Sequence, residues 1–441
     1  MFNDRARLTL LLVLGLLTAH VSSTLAQGDQ VVLEDNIFTL GMQLGVGTRA
    51  LGMGGAYSYR HGDYSASFWN PAALTDIKRI EVYGSMSHLI RDNNSQFAGV
   101  GTPDQATFTD FNTFGLAYPV PTSRGSLVLS FGYNRVKSVD QNSEFNWFNA
   151  TPDDSVRQAW RERENGSLNA WILSGGIDVS KNLSVGIGLN FWTGNDDFEL
   201  AFRERDELDL YTFDQNDVES NINSDITGFN VKLGAFYRLG RVLQLGASIA
   251  TPTTLRIKET SNRFQNLIFD ADSTLSFTDE GFFDYKIRSP FTFSGGGTLN
   301  LLNFVFSGEV EYNDWTQTRY TTDPPFQATK TEANRLIEES YRATMRIRGG
   351  AEFTLPFTGL SFRVGYFRDP SIFENALSDQ DKQFYTAGVG FLLAKQVKLD
   401  LAYAYGFWKN RNVARPETND VTSLVEDVTV NKVFVSLAFR L

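Results

Sequence analysis

The feature that most limits the fold of this chain is a strict alternation in the lengths of the links between its amphipathic stretches. From residue 79 onward, fourteen stretches place apolar residues at every second position: near 79–91, 111–119, 125–138, 167–179, 182–202, 222–240, 242–260, 282–300, 303–318, 341–355, 359–369, 383–394, 396–410 and 429–441. In the last, Val433, Val435, Leu437, Phe439 and Leu441 share one face, and Phe434, Ser436, Ala438 and Arg440 share the other. Successive side chains of a strand point to opposite sides, so each stretch makes one apolar face and one small, polar or charged face. Links after odd stretches are long and polar: 92–110, 139–166, 203–221, 261–281, 319–340, 370–382 and 411–428. Links after even stretches are tight: Pro121 to Arg124, Ser180-Lys181, Arg241, Leu301-Leu302, Pro356 to Thr358, and Lys395. Short turns on one rim and long loops on the other, with an even strand number, mark a transmembrane barrel. A sandwich with Greek-key connections has no reason to obey such a rule. The expected fold class is therefore all-β, a 14-stranded antiparallel transmembrane β-barrel over 79–441.

The first residues carry an export signal. Arg5 and Arg7 precede the apolar run Leu8 to Leu17, and Thr24-Leu25-Ala26 presents a peptidase site. The run is too short to span hydrocarbon, which takes ~20 residues. Residues 1–26 are thus expected to be removed as a signal peptide, which leaves the barrel for the bacterial outer membrane. No later segment reaches spanning-helix length, so a helical membrane protein is excluded. The chain has no cysteine, which removes disulfides and thiolate metal sites. Its formal charge of -11 argues against nucleic acid as a partner.

Residues 27–78 lack strand periodicity. They hold Gly41, Gly45, Gly47, Gly52, Gly54 and Gly55, then Phe68-Trp69-Asn70-Pro71-Ala72. A disordered tail is not this rich in large apolar residues. Fourteen strands enclose more space than side chains alone fill, since about eight already suffice. The segment is expected to be a hatch, a plug folded into the lumen. Pro252 and Pro290 fall in adjacent strands and suggest a paired bulge.

Catalysis finds little support. The three histidines are His20, His61 and His88, and no G-x-S-x-G, H-E-x-x-H or P-loop is present. No catalytic residue, metal site or cofactor is expected. The alternation does place charges in the lumen: Glu309 and Glu311 on one strand, Arg346, Arg348 and Glu352 on the next, and Arg363 beyond. These suit a cross-strand ladder of opposite charge. An arginine of that ladder could instead meet a ligand carboxylate or clamp the plug. Phe145, Trp147, Phe148 and Trp160 lie in the long link 139–166, where they would form an outer capture surface or an interfacial anchor.

The run GVGTRALGMGGAYSYRHGDYSASFWNPAAL, from Gly45 to Leu74, resembles the hatch of the FadL/TodX family of outer-membrane transport proteins, with Asn70-Pro71-Ala72 matching its motif. ASIATPTTLRIKE, EVEYNDWT, SFRVGYFRDPS and FYTAGVGFLLAKQVKLDLAYAYGF resemble later parts of that family. The resemblance implies diffusion-driven uptake of a hydrophobic small molecule, a long-chain fatty acid or an aromatic hydrocarbon. It also implies a hatch that shifts and a sideways exit into outer-membrane lipid, with the protein working as a monomer. Two features depart from the family. The segment Gln27 to Asn36 makes the mature chain start early, so a ligand contact by its N-terminus does not carry over; and the chain ends on Leu441 rather than an aromatic residue. TRALGMGGAY followed by WNPA also resembles PorV-like proteins, which implies an alternative role as an outer-membrane partner in protein secretion.

Overall fold

In a computed structural model, the described residues are 38, 41–56, 62–97, 99–148, 156–270, 273–325, 329–414 and 422–441. The segments 1–26 and 27–36 and the residues His20 and His61 lie outside them. The described strands are β1 (Glu81–Phe97), β2 (Val100–Val120), β3 (Leu127–Ser138), β4 (Gln141–Phe148), β5 (Val156–Asp178), β6 (Leu183–Asp206), β7 (Phe213–Leu239), β8 (Leu243–Ala250) and β9 (Thr254–Phe269). They continue as β10 (Thr274–Arg288), β11 (Thr292–Leu301), β12 (Phe304–Asp314), β13 (Arg319–Tyr320), β14 (Ala343–Thr354), β15 (Leu360–Asp369), β16 (Lys382–Ala394), β17 (Val397–Ala414) and β18 (Thr422–Arg440).

All pairing is antiparallel, and β1 closes the ring by pairing with both β2 and β18, with Glu81 opposite Ala117 and Arg440. β5 pairs with both β3 and β4, and β7 with both β8 and β9, so each of these couples is one interrupted stave. β10 and β11 form a third, against β9 and β8. β13 adds only two residues to the side of β10. The ring therefore has fourteen staves.

The side chains follow the alternation. Val433, Val435 and Leu437 of β18 are exposed on the outer wall, while Lys432, Ser436 and Ala438 are buried inside. An apolar outer face is stable only against hydrocarbon, and closure of the ring pairs the ladder groups at membrane depth that a flat sheet would leave at an edge.

Two sequence expectations change. The long outer links are mostly strand: β2 starts at Val100, β4 and β5 occupy much of 139–166, and β6 and β7 reach 24 and 27 residues. Crossing takes ~9–11 residues, so this flank rises well beyond the bilayer. The outer face of that extension no longer meets hydrocarbon, and the apolar alternation that reveals a strand fades there. The link 319–340, expected as a loop, carries a helix, here α3 (Lys330–Ser340), with Thr329 Oγ1 accepting the Glu332 N–H at 3.3 Å. Pro252 and Pro290 interrupt both adjacent staves, which rejoin through Ser289 N–H to the Thr253 carbonyl and Thr253 N–H to Ser289 Oγ, each 2.9 Å.

Candidate functional site

Behind the ring wall, the N-terminal segment packs on inward-facing residues of staves all round the circumference. It holds two single-turn helices, α1 (Thr48–Leu51) and α2 (Ala66–Trp69), and a 3-10 helix at Pro71–Asp76. Asn70 organises the last of these. Its Oδ1 accepts the Ala72 N–H at 3.1 Å, which caps the helix, and Pro71 at the first position has no N–H to leave unpaired. Its Nδ2 donates to the carbonyls of Ala235 and Ala247 at 3.0 and 3.4 Å, on β7 and β8. The wall makes room with glycine: a Cβ at Gly234 would sit 2.0 Å from Asn70 Oδ1, and one at Gly186 2.3 Å from the Ala72 nitrogen. Trp69 Nε1 donates to the Val46 carbonyl at 2.8 Å, and the Arg348 guanidinium lies over the Trp69 ring at 5.1 Å. Across the ring, Arg49 of α1 grips Glu352 with two bonds, of 3.0 and 2.8 Å.

The expected charge ladder is present in register. Glu309 faces Arg348, Glu311 faces Arg346, and Glu352 faces Arg363. Arg348 contacts Glu309 at 2.8 Å and Glu311 at 3.1 Å; Arg346 contacts Glu311 and Asp369 at 2.7 Å; Arg363 contacts Glu352 at 2.6 Å and Asp400 at 2.7 Å. Each arginine holds two carboxylates, so a ligand carboxylate would have to displace one. Of the three, only Arg346 lines the cavity described next.

Above the N-terminal segment lies a cavity of about 1060 Å³. That is slightly more than the roughly 300–1,000 Å³ of ordinary small-molecule sites. One wall is apolar: Ile226, Ile257, Trp315, Tyr320, Ile372 and Phe373 line it. Behind them Leu255, Ile287, Tyr341 and the α3 residues Ala333 and Ile337 form one buried cluster. The opposite wall is polar, with Arg91, Lys382, Trp408, Asn142 and Glu426.

The ring wall is interrupted beside this cavity. The β2–β3 ladder ends at Thr113 opposite Asn134, although β2 continues outward to Val100. Beyond that point β3 bends inward: Met42 and Ser138 exchange backbone hydrogen bonds of 2.7 and 3.2 Å. β4 then lies against the inner face of β1, where Asn93 Nδ2 donates to the Asn142 carbonyl at 3.0 Å and Ser95 Oγ meets Ser143 Oγ at 3.3 Å. Between residues 100–112 of β2 and β4 no backbone pairing occurs among the described residues. Side chains bridge this seam, Arg135 to Asp110 at 3.1 Å and Asn142 to Asp104.

Phe145, Trp147, Phe148 and Trp160 are not in a loop, as expected above, but on β4 and β5, with Phe145 opposite Trp160. They are held there because β5 extends far enough outward to pair with β4. Phe145 stacks on Trp160 at 5.6 Å and on Phe97 at 4.9 Å, and Trp147 meets Phe97 edge-on at 5.4 Å.

The family model described as "Outer membrane protein transport protein (OMPP1/FadL/TodX)" matches residues 40–441. The chain belongs to this family. Its place is accordingly the bacterial outer membrane. No curated protein matches the chain. Among solved structures it is similar to the Pseudomonas putida toluene transporter TodX, at 13% identity over 91% of this chain and 99% of that one, with a TM-score of 0.64. A Pseudomonas aeruginosa FadL homologue matches at 16% identity over 90% and 99%, TM-score 0.57. The CymD monoaromatic hydrocarbon channel matches at 14% over 90% and 98%, TM-score 0.53. At such identities these likenesses speak for the fold alone. The matched family is one of transport proteins and lends nothing to the PorV-like alternative.

Sequence reasoning missed Arg49, Arg91, Lys382, Trp408 and α3. The helix had a local signal, Thr329 followed three residues later by Glu332, the spacing of a capping box. The other four act through staves far apart in the chain, and nothing local marks them.

Proposed function

We propose that the protein is a channel for diffusion-driven uptake of hydrophobic compounds, with residues 27–78 acting as a hatch and the ligand leaving sideways through the seam between β2 and β3–β4. The compounds are long-chain fatty acids or aromatic hydrocarbons, and the protein works as a monomer after removal of residues 1–26. The observation that carries this reading is the half-apolar cavity that adjoins a break in the wall and is floored by the N-terminal segment. A hydrophobic solute gains nothing from a route through water; a lateral exit delivers it to hydrocarbon. Asn70, Pro71, Ala72 and Trp69 hold the hatch on the wall. The aromatic cluster of Phe145, Trp147, Phe148 and Trp160, at the outer end of the seam, is the capture surface.

The test is to close the seam. Asp104→Cys with Asn142→Cys replaces two side chains that hydrogen-bond across it. Oxidised, the double variant is expected to lose uptake of a radiolabelled hydrophobic compound into intact cells and to regain it on reduction. Equal uptake in both states rules out this exit.

A further inference from the structure

The outside of the wall carries a run of cations that the lumen chemistry does not use. Beyond Pro290, Arg256 and Lys258 of β9 and Lys286 and Arg288 of β10 are all exposed, while Leu255, Ile257 and Ile287 of the same strands point inward and are buried. The antiparallel register sets like charges face to face: Arg256 lies opposite Lys286, and Arg288 opposite Arg319 of β13. Like charges directly opposite each other are destabilising. Two carboxylates offset part of this charge, Asp284 on Arg256 at 2.5 Å and Glu338 on Arg319 at 3.2 Å. Lys258, Lys286 and Arg288 have no carboxylate within ion-pair distance among the described residues, and Asp225, the register neighbour of Lys258 on β7, makes no ion pair with it. A surplus of cations in a chain of formal charge -11 asks for an anion from outside the chain.

The height of the row on the wall indicates which anion meets it. Further along the same stave, Leu301, Leu299, Phe293 and Phe291 are exposed on the outer wall. From the tight turn at Leu301 up to Phe291 the stave makes about one crossing, which takes ~9–11 residues. Phe291 stacks on Phe293 at 6.1 Å, as rings of an interfacial girdle do. Arg288 and Lys286 are the next outward-facing residues beyond that girdle. They stand, therefore, in the head-group layer of the outer leaflet. Further out on the same face, past Asp284, Phe282 is 68% exposed. A ring open at that height has left hydrocarbon behind, and its electron-rich face suits the C–H face of a sugar.

We propose that Lys258, Lys286, Arg288 and Phe282 form a site for a phosphorylated glycolipid of the outer leaflet. Its phosphate oxygens accept charge-assisted bonds from the three cations that hold no carboxylate, and they screen Arg256 from Lys286. Its sugars rest on Phe282, and its acyl chains lie along Phe291, Phe293 and Leu299. The site is on the lipid side of the wall and depends on the outer-membrane location, not on the uptake reading.

The experiment uses the full mature chain in a non-ionic detergent, with bound lipid counted by native mass spectrometry. The probes are diphosphoryl lipid A, the same lipid A freed of its phosphates, phosphatidylglycerol and inorganic phosphate. Wild type is expected to bind diphosphoryl lipid A at least about tenfold more tightly than the dephosphorylated form, and equimolar inorganic phosphate is expected not to displace it. Lys258→Gln, Lys286→Gln and Arg288→Gln together should abolish that preference. Phe282→Ser should weaken lipid A and leave phosphatidylglycerol unchanged. Lys286→Gln alone should reduce the preference in part, and it serves if the triple variant does not fold. Because it relieves the repulsion with Arg256, it should not lower heat stability in lipid-free detergent; a lower stability there makes the row structural and overturns the site. Equal binding of the two forms of lipid A, or a preference kept by the triple variant, also overturns it. Displacement by equimolar inorganic phosphate, or phosphatidylglycerol bound as tightly as lipid A, overturns the assignment to a glycolipid.

Discussion

Replacing Arg49 by methionine should loosen the N-terminal segment and spare the barrel. Arg49 contributes two charge-assisted bonds to Glu352, which is 1% exposed. Breaking a buried ion pair by removing one partner usually costs 3–5 kcal/mol, because the other charge is orphaned. Here it is not orphaned, since Glu352 keeps its 2.6 Å bond to Arg363. The smaller figure for hydrogen bonds to charged groups applies, about 1.5–3 kcal/mol. At about 1.4 kcal/mol per decade, the released state of the segment should rise roughly ten- to a hundredfold. Amide hydrogen exchange reports it directly. The N–H groups of Leu51, Gly52 and Met53 bond to Gly47, Thr48 and Ala50 carbonyls and should exchange faster by that factor. Those of β14 and β15 should not change. Acceleration of both sets together, or of neither, refutes the view that this pair latches the segment independently of the ring.

Other perturbations separate structure from transport. Arg348→Ala removes the 2.8 Å partner of buried Glu309 and should lower barrel stability by about 1.5–3 kcal/mol, seen as a drop in the temperature at which heat-modifiable gel mobility is lost; reduced ligand binding at unchanged stability would mean a ligand contact instead. Gly234→Ala drives a methyl into Asn70 and should release the 3-10 helix, with faster exchange at Ala73 and Ile77 but an intact ring. Trp160→Ala removes one of the two stacking partners of Phe145 and should slow uptake most at low ligand concentration, as expected of a capture surface; a fall only at saturating ligand contradicts that role.

Legibility in the sequence followed the surroundings of each residue. Where a strand has lipid on one side and the lumen on the other, as in Val433 to Phe439, the two-residue period was plain and fixed both strand and facing. The same facing rule puts Glu309, Glu311, Arg346, Arg348 and Arg363 on the lumen side, where the ladder pairs them. Where a strand rises beyond hydrocarbon, as in Phe213 to Asn221 of β7, apolar residues no longer alternate and the sequence reads as a loop. The aromatic residues of 145–160 read as a loop because β4 pairs with β5 alone and packs inside β1, an arrangement no local pattern marks. The inward bend of β3 after Asn134 and the meeting of Arg91, Lys382 and Trp408 depend on how distant staves close, which local pattern does not encode.

The seam has a mechanical consequence. A hoop resists widening because every stave is held on both sides; a split hoop does not. Among the described residues, the cylinder is split beside β2 above Thr113, and it is split again where residues 274–286 of β10 have β9 on one side and no strand on the other. The outer part is therefore two panels rising from a closed collar. One carries β4 to β10, with β9 and β10 at its free end. The other carries β14 to β18 with β1 and β2. Parting the two panels would break no ladder hydrogen bond among the described residues, only the side-chain contacts that bridge them, such as Asn93 to Asn142 and Phe97 to Phe145.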